Sequence, residues 1–560
     1  MSNALEAASL IMVPSGYENG TLASVKPNDG TGDFTFSRGS NLSATRINEQ
    51  GYIEKGYENL LYPSNDLASL TNNTFSGINV DSNQVANPID GEVTADKLYT
   101  IVSGTSESRA RISGYIQSGV QTISLYAKYI DYKYLYIREL ANNKYSVFDI
   151  ELGTITYNNT FTIETKIESA GNGWYRCSIS FNASSINNNL IDIGFSASST
   201  SPFGNVQDGV EMYLFGYMLN QGLVAYPYIE TTTASVAGGI LEDMPRLDWA
   251  SGAPSLLLEP SRTNRCTSSE YFETAAWLSI GSPIITTNYG ISPEGVQNST
   301  RIVFSAANEC IYDGIAYTSE EVSTIYVKGT SGETIKFGKG DNIFVGTLFT
   351  LDGTWQRLEF VQSVSGNTFT INTSGGATAR DIEVWGAQNE EASYPTSYIP
   401  TYGVSQTRLG DDMTNNLQGL DISSILGVSS YTIFFDVETE NIGTSLNVAG
   451  NVCAVENPSI RLAIDTRVSV IQDDSSSTTR IKVDVGDNIK HYKGALQVTP
   501  TTAKIFGNGI EGQSGTSRNL SPDTLYVYSS VYNSDTYKMN KFILFPTALS
   551  DEECIQLTTV

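Results

Sequence analysis

Few residues in this chain have the types and spacing that catalysis needs. The single histidine, His491, sits between Lys490 and Tyr492 with no G-x-S-x-G elbow in the chain. A serine nucleophile needs a positioned base, so a Ser/His/Asp hydrolase is not expected and His491 reads as a surface residue. The 60 Asp and Glu offer many pairs that could act as acid and base in glycoside cleavage, but nothing in the sequence brings two of them together. No P-loop, HExxH or EF-hand pattern occurs. Asp411 with Asp412, and Asp473 with Asp474, could hold Ca²⁺ at a loop, and both read more simply as solvated acidic turns. Cys177, Cys266, Cys310, Cys453 and Cys554 lack CxxC spacing and are odd in number. They imply neither a disulfide framework nor a zinc site, and read as buried free thiols. No catalytic residue, cofactor or metal ligand is assigned.

Sugar recognition asks for something else: exposed aromatic rings that stack on the apolar faces of pyranoses, with polar side chains bonding the hydroxyls. The chain has 32 tyrosines. Tyr132, Tyr134 and Tyr136 alternate with Leu135 and Ile137, the period of two of a strand, which sets the tyrosines on one face. They are the candidate glycan-binding residues, the other readings being a subunit contact or a solvated face.

The elements that would position these residues come in two copies. Asn59 to Asp66 and the Ser255 to Asn264 run each open a segment after a strand-like stretch. Ile123 to Lys128 matches Ser323 to Lys328, and Gly173 to Arg176 matches Thr354 to Arg357, with a Trp two residues before an Arg each time. Phe215, Gly216, Tyr226, Pro227, Tyr228 and Thr231 match Trp385, Gly386, Tyr394, Pro395, Tyr398 and Thr401. Four matches in one order, with drift only in loop length, make a repeated module. Two copies with different loops share a core before they share a specificity, so Trp174, Trp355, Phe215 and Trp385 are expected to be packing residues. The second copy lacks the tyrosine stripe.

At 560 residues the chain needs several cores. It is 17% charged, with 49 glycines, which suits short strands joined by turns. A net charge of −27 repels a phosphate backbone and an anionic bilayer surface, which disfavours nucleic-acid and membrane partners. The apolar patch Leu10 to Val13 is too short for a signal peptide or a membrane span.

Alternating strands, many turns and no convincing amphipathic helix predict an all-β chain: two homologous β-sandwich or jelly-roll modules followed by a third sandwich. The expected boundaries are a leader (1–56), the first module (57–236), a connector (237–254), the second module (255–403), a linker (404–419) and the terminal sandwich (420–560). The leader has too little apolar material for a core and is expected to dock on its own chain or a partner. The terminal sandwich is expected to be complete in itself. Ser550 and Glu553 have the spacing of a capping box for a short closing helix.

Phe36 to Arg38, Ala44 to Arg46, Gly51, Ile53, Pro245 to Asp248 and Leu256 to Asn264 resemble elements of tailed-bacteriophage virion proteins of the tail-fibre and head-fibre kind. In that family these elements run on closely; here nearly two hundred residues separate them, as though the first module were a duplicate inserted between them. The two copies look like carbohydrate-binding-module jelly rolls, and the final region is similar to laminin-G-like, concanavalin-A-type sandwiches. The resemblance implies a virion structural protein without enzymatic activity, attached to head or tail through its leader and binding host-surface polysaccharide. It further implies a homotrimer assembled in the host cytoplasm. The other readings are a glycan-degrading tailspike depolymerase and a ligand-free capsid decoration protein.

Overall fold

The computed structural model describes residues 2–14, 16–18, 20–39, 42–101, 107–159, 162–183, 190–316, 320–362, 365–415, 430–439, 450–455, 459–464, 468–474, 477–485, 489–516, 525–529 and 536–560. Among the described residues, the regular elements apart from the short helices Ser2–Ala7 and Asp551–Thr558 are strands. Ser550 caps the second helix in the expected box with Glu553.

Each module is a two-sheet sandwich, and each five-stranded sheet of the second corresponds to five of the six strands of its counterpart in the first. In the first, Glu164–Gly171, Trp174–Ala183, Gly119–Tyr129, Glu211–Gln221, Val93–Thr100 and Ile78–Ala86 form one sheet. The second module repeats the last five of these as Gln356–Gln362, Glu321–Gly329, Asp381–Glu390, Thr300–Val303 and Ile284–Thr286. The repeat extends to atoms. Asn59 and Asn264, each fully buried, donate to two carbonyls (Tyr217 and Ile229; Ala387 and Ile399) and accept from two backbone N–H groups (Leu61 and Leu219; Cys266 and Asn389). Ser64 bonds the Tyr228 hydroxyl as Ser269 bonds Tyr398. A register break falls between Ser124 and Tyr126 in one copy and between Thr324 and Tyr326 in the other. Across from each break sits a glycine at positive φ, Gly216 at 65° and Gly386 at 64°. A side chain there would press on the Tyr126 or Tyr326 ring, which is why both positions are glycine.

Both modules are excursions from a third body. Tyr57–Asn59 pairs with Val236–Gly238, and Arg262–Asn264 with Gln406–Arg408, so a two-stranded ribbon closes the base of each. The third body is not complete in itself, contrary to expectation. Leu10–Met12 and Ser255–Leu258 both pair with Tyr537–Phe545 along the same edge, and Arg246–Asp248 extends that sheet. In the facing sheet, Phe34–Ser37 and Asp412–Asn415 join Leu525–Ser529. Leader residues Leu10, Met12, Phe34 and Phe36 share one core with Leu256, Met413, Phe435 and Leu544. The leader is therefore built into its own chain's sandwich, in place of a free docking arm, because its alternating apolar residues bury only by completing those sheets.

The segments are held by a buried ionic cluster in which three residues of the resembling stretches, Arg38, Arg246 and Glu259, meet Arg408 and Asp411. Arg38, Arg246, Arg408, Glu259 and Asp411 are each 2% exposed or less. Asp411 bridges Arg38 (3.1 Å) and Arg246 (2.5 Å), and Glu259 bridges Arg246 (2.6 Å) and Arg408 (2.9 Å). Burial lowers the Arg38 pKa to about 10. Glu259 falls to about 2, because Arg408 and Arg246 outweigh the opposing effect of burial. Asp411 is thus a structural tie and not a solvated acidic turn. The Asp473 and Asp474 side chains lie outside the described residues.

Candidate functional site

The first module's other sheet runs in the order Thr154–Asn158, Lys144–Asp149, Tyr134–Glu139, Leu190–Phe195, Ser108–Ser113, Asn73–Ser76. Its inner face gives Leu135, Ile137, Phe148, Ile112, Ile191 and Ile193 to the module core. Alternation then places Tyr134, Tyr136, Arg138, Tyr145, Val147, Tyr157, Arg109, Arg111 and Asp192 on the outer face. Tyr136, Tyr145 and Val147 cluster there with Tyr134 and Tyr157 against them.

A charged lattice stiffens this face. Asp192, fully buried, accepts from Arg111 through Nε (2.7 Å) and Nη2 (3.0 Å), and from Arg138 through Nε (3.1 Å) and Nη2 (2.5 Å). Glu107 takes a second bond from Arg138 Nη2 (2.9 Å) and one from Arg109 Nε (2.8 Å). Burial disfavours both charges, yet the bonds to Asp192 carry the Arg138 pKa upward and the two arginines hold Glu107 below the ordinary carboxylate value. The Phe203 ring lies 4.9 Å from the Arg138 guanidinium carbon. Tyr145 stacks on Tyr157 (5.2 Å, 23°) and meets Phe203 edge-on (6.4 Å). Burial and the neighbouring Tyr157 push the Tyr145 hydroxyl up to about 12. The result is an aromatic shelf beside fixed guanidiniums. Phe203 is 44% exposed and Tyr157 half-buried. Rings set beside rigid charged donors can stack on a sugar face and bond its hydroxyls.

The tyrosine stripe is divided by the structure. Tyr134 and Tyr136 do share the outer face, but Tyr136 is 0% exposed, so its ring cannot receive a sugar. Its hydroxyl is buried without a hydrogen-bond partner, and burial raises its pKa far above the ordinary value. Tyr132 precedes the strand and leans on the core instead, its ring 5.7 Å from Phe195 and its hydroxyl donating to Ser196 O at 2.8 Å. Tyr132 and Tyr134 are both half-buried, and Tyr134, with Lys133 Nζ 5.1 Å over its ring, is the one that combines partial exposure with a place on the outer face. Sequence reasoning missed Arg109, Arg111, Arg138, Tyr145, Tyr157 and Phe203. The alternation Ser108-Arg109-Ala110-Arg111-Ile112 could have shown the two arginines; nothing local places Phe203 over Arg138.

The second module has no such lattice. Its register puts Lys336 at the place of Tyr136, Gly338 at Arg138, Thr370 at Asp192 and Tyr312 at Arg111. Its own loop covers the face, with Thr370 donating to Ile343 O and Asn372 to Val345 O.

The remaining candidates are structural. Trp174, Phe215 and Trp385 are buried at 3% or less, and Trp355 donates to Ile291 O. His491 pairs with Asp436 at 2.7 Å. Cys177, Cys266, Cys310 and Cys554 are buried free thiols, and burial lifts Cys554 to about 12; the Cys453 side chain lies outside the described residues. Among the described residues no cluster of three metal-ligating side chains occurs, and no helix is long and apolar enough to cross a membrane. Glu270 and Glu294 converge on Lys55 (2.7 and 3.0 Å), all three side chains nearly buried, with Tyr226, Tyr402 and Trp385 around the ammonium. This caged ion pair joins the leader to both modules.

No family model matches the chain, and no curated protein does. Among solved structures, it is similar to a CBM40 of Ruminococcus gnavus IT-sialidase bound to α2,3-sialyllactose (14% identity, 24% of this chain and 84% of that one, TM-score 0.20). It is also similar to the tandem CBM22-1–CBM22-2 domain of Paenibacillus barcinonensis Xyn10C (11% identity, 64% and 100%, TM-score 0.21). A third is the LG1-3 region of the laminin α2 chain (9% identity, 79% and 92%, TM-score 0.11). At TM-scores this low none of them bears on ligand or activity. The chain's own strands establish its fold, an all-β assembly of sandwich modules.

Proposed function

We propose that the protein is a non-enzymatic fibre or spike component of a tailed-phage virion that binds host-surface polysaccharide through the outer face of its first module. The observation that carries the glycan-binding part is the Tyr157–Tyr145–Phe203 shelf beside Arg138, which is held rigid by Asp192 and Glu107. Preorganised rings and donors lower the ordering entropy that a weak sugar contact must overcome. The virion assignment rests on the sequence resemblance, and so does a homotrimer, which would multiply weak affinities through avidity. With the leader woven into the sandwich, attachment to head or tail uses a composite surface of leader and C-terminal strands.

The test is binding of the full chain to host capsule and to a glycan array, with Phe203→Ala and Tyr157→Ala as variants. Removing one stacking ring is expected to weaken binding roughly tenfold while leaving melting unchanged. Undiminished binding by both variants would remove the shelf from the proposal. Release of reducing ends from capsule would replace adhesion by depolymerisation. Absence of the chain from purified virions would end the phage assignment.

A further inference from the structure

A second site shares no residue with that shelf. A cavity of about 270 Å³ opens where the leader, the connector, the second module and the terminal sandwich meet. Pockets for drug-sized ligands begin at roughly 300 Å³, so the occupant is about the size of one sugar residue. Tyr326 and Arg357 of the second module form one wall, and Lys490, Thr536 and Lys538 of the terminal sandwich another.

The two copies of the module differ at this point. Arg176 and Arg357 are equivalent: each guanidinium lies over a tyrosine ring (Tyr126 at 5.5 Å, Tyr326 at 5.6 Å) and each Nη2 donates to a strand hydroxyl (Ser124, Thr324). In the first copy the module's own closing segment caps the guanidinium, with Nη1 donating to Ala225 O and Nη2 to Tyr226 O. In the second copy neither carbonyl bond exists, and the bond to Thr324 is the one Arg357 makes among the described residues. Arg357 lines the cavity, and the difference between the copies lies in its Nη groups, since Nε is buried without a partner in both Arg176 and Arg357.

Two of the three carboxylates that line the cavity are already engaged. Asp248 accepts from Ile47 N and Ala250 N and pairs with Lys538 at 3.4 Å. Glu259 belongs to the arginine cluster, and Glu359 stands exposed at the rim. An uncapped guanidinium in a partly closed site matches a carboxylate, which it can bind with two parallel bonds.

We propose that this cavity binds a small carboxylate-bearing ligand, a sugar acid residue, with Arg357 gripping the carboxylate and the sugar ring filling the remaining volume. The inference does not depend on the first-module shelf. The test is titration of the full chain with D-glucuronate, followed by calorimetry and by NMR of the ligand, beside its neutral methyl ester, acetate and inorganic phosphate. Saturable binding of glucuronate is expected, at least tenfold weaker for the ester, acetate and phosphate. Arg357→Gln is expected to weaken it at least tenfold, while Arg176→Gln and Phe203→Ala leave it unchanged. Lys490→Gln serves as a second cavity variant if Arg357→Gln melts early, and is expected to weaken binding several-fold. No saturation, equal affinity for acetate or phosphate, or full binding by both cavity variants would overturn the proposal.

Discussion

Replacing Asp411 with alanine should detach the terminal sandwich from its N-terminal strands while the first module stays folded. The carboxylate is fully buried, accepts from Arg38 and Arg246, and also accepts Glu259 N at 2.8 Å. The cluster holds three guanidiniums against two carboxylates; without Asp411 it is three against one, in a site water does not reach. Breaking a buried pair by removing one partner costs about 3–5 kcal/mol. For a domain of roughly 200 residues that is a fall of roughly 6–20 °C in its melting transition. Calorimetry should show this transition alone moving, and brief proteolysis should cut the leader and connector first. Removing Arg38 as well (Arg38→Met with Asp411→Ala) takes away one stranded cation, so the double variant should recover about 0.5–3 kcal/mol relative to additivity. A loss below about 1 kcal/mol, or joint unfolding of the first module, would refute the view of the cluster as the clasp of the third body.

The same cluster sets an acid limit. Glu259 titrates at about 2 when folded and ordinarily at 4.5, so its contribution, about 3 kcal/mol, is present above pH 4.5 and lost as pH falls from there towards 2. Melting of the terminal sandwich between pH 6 and pH 2.5 should drop across that window. Asp96 acts in the opposite sense: burial raises it to about 7 although Leu67 N donates to it. Its acid form suits the fold, so first-module stability should decline as pH rises from about 4 to about 7, by up to about 4 kcal/mol, and Asp96→Asn should flatten that decline. Gly216→Ala and Gly386→Ala should each destabilise their own module by about 1–2 kcal/mol, and unequal costs would contradict the matched bulges. Deleting residues 1–13 should uncover the Phe542–Leu544 edge and remove Leu10 and Met12 from the core, giving an aggregating chain by light scattering; a soluble, unshifted product would mean that the leader is dispensable.

Much of the architecture is written locally. A strand declares itself every second residue, so the sheets around Tyr134–Glu139 and Trp174–Ala183 and the doubling of the module could be read directly. Matched Asn, Ser and Arg positions share hydrogen bonds: Asn59 with Asn264, Ser64 with Ser269, and Arg176 with Arg357. What the sequence could not decide was which strands meet across long separations. Ser9 bonds Leu544 across 535 residues, and no local pattern carries such a pairing, because an edge strand's alternation looks the same whichever sheet it completes. For the same reason the tyrosine stripe was only half legible: period two fixes the face of Tyr134 and Tyr136, while burial of Tyr136 beside Tyr145 and exposure of Phe203 over Arg138 depend on strands and loops that arrive from elsewhere. The uncapped state of Arg357 is of this kind too, since Arg176 carries the same residue on the same ring and only the path of the closing segment distinguishes them.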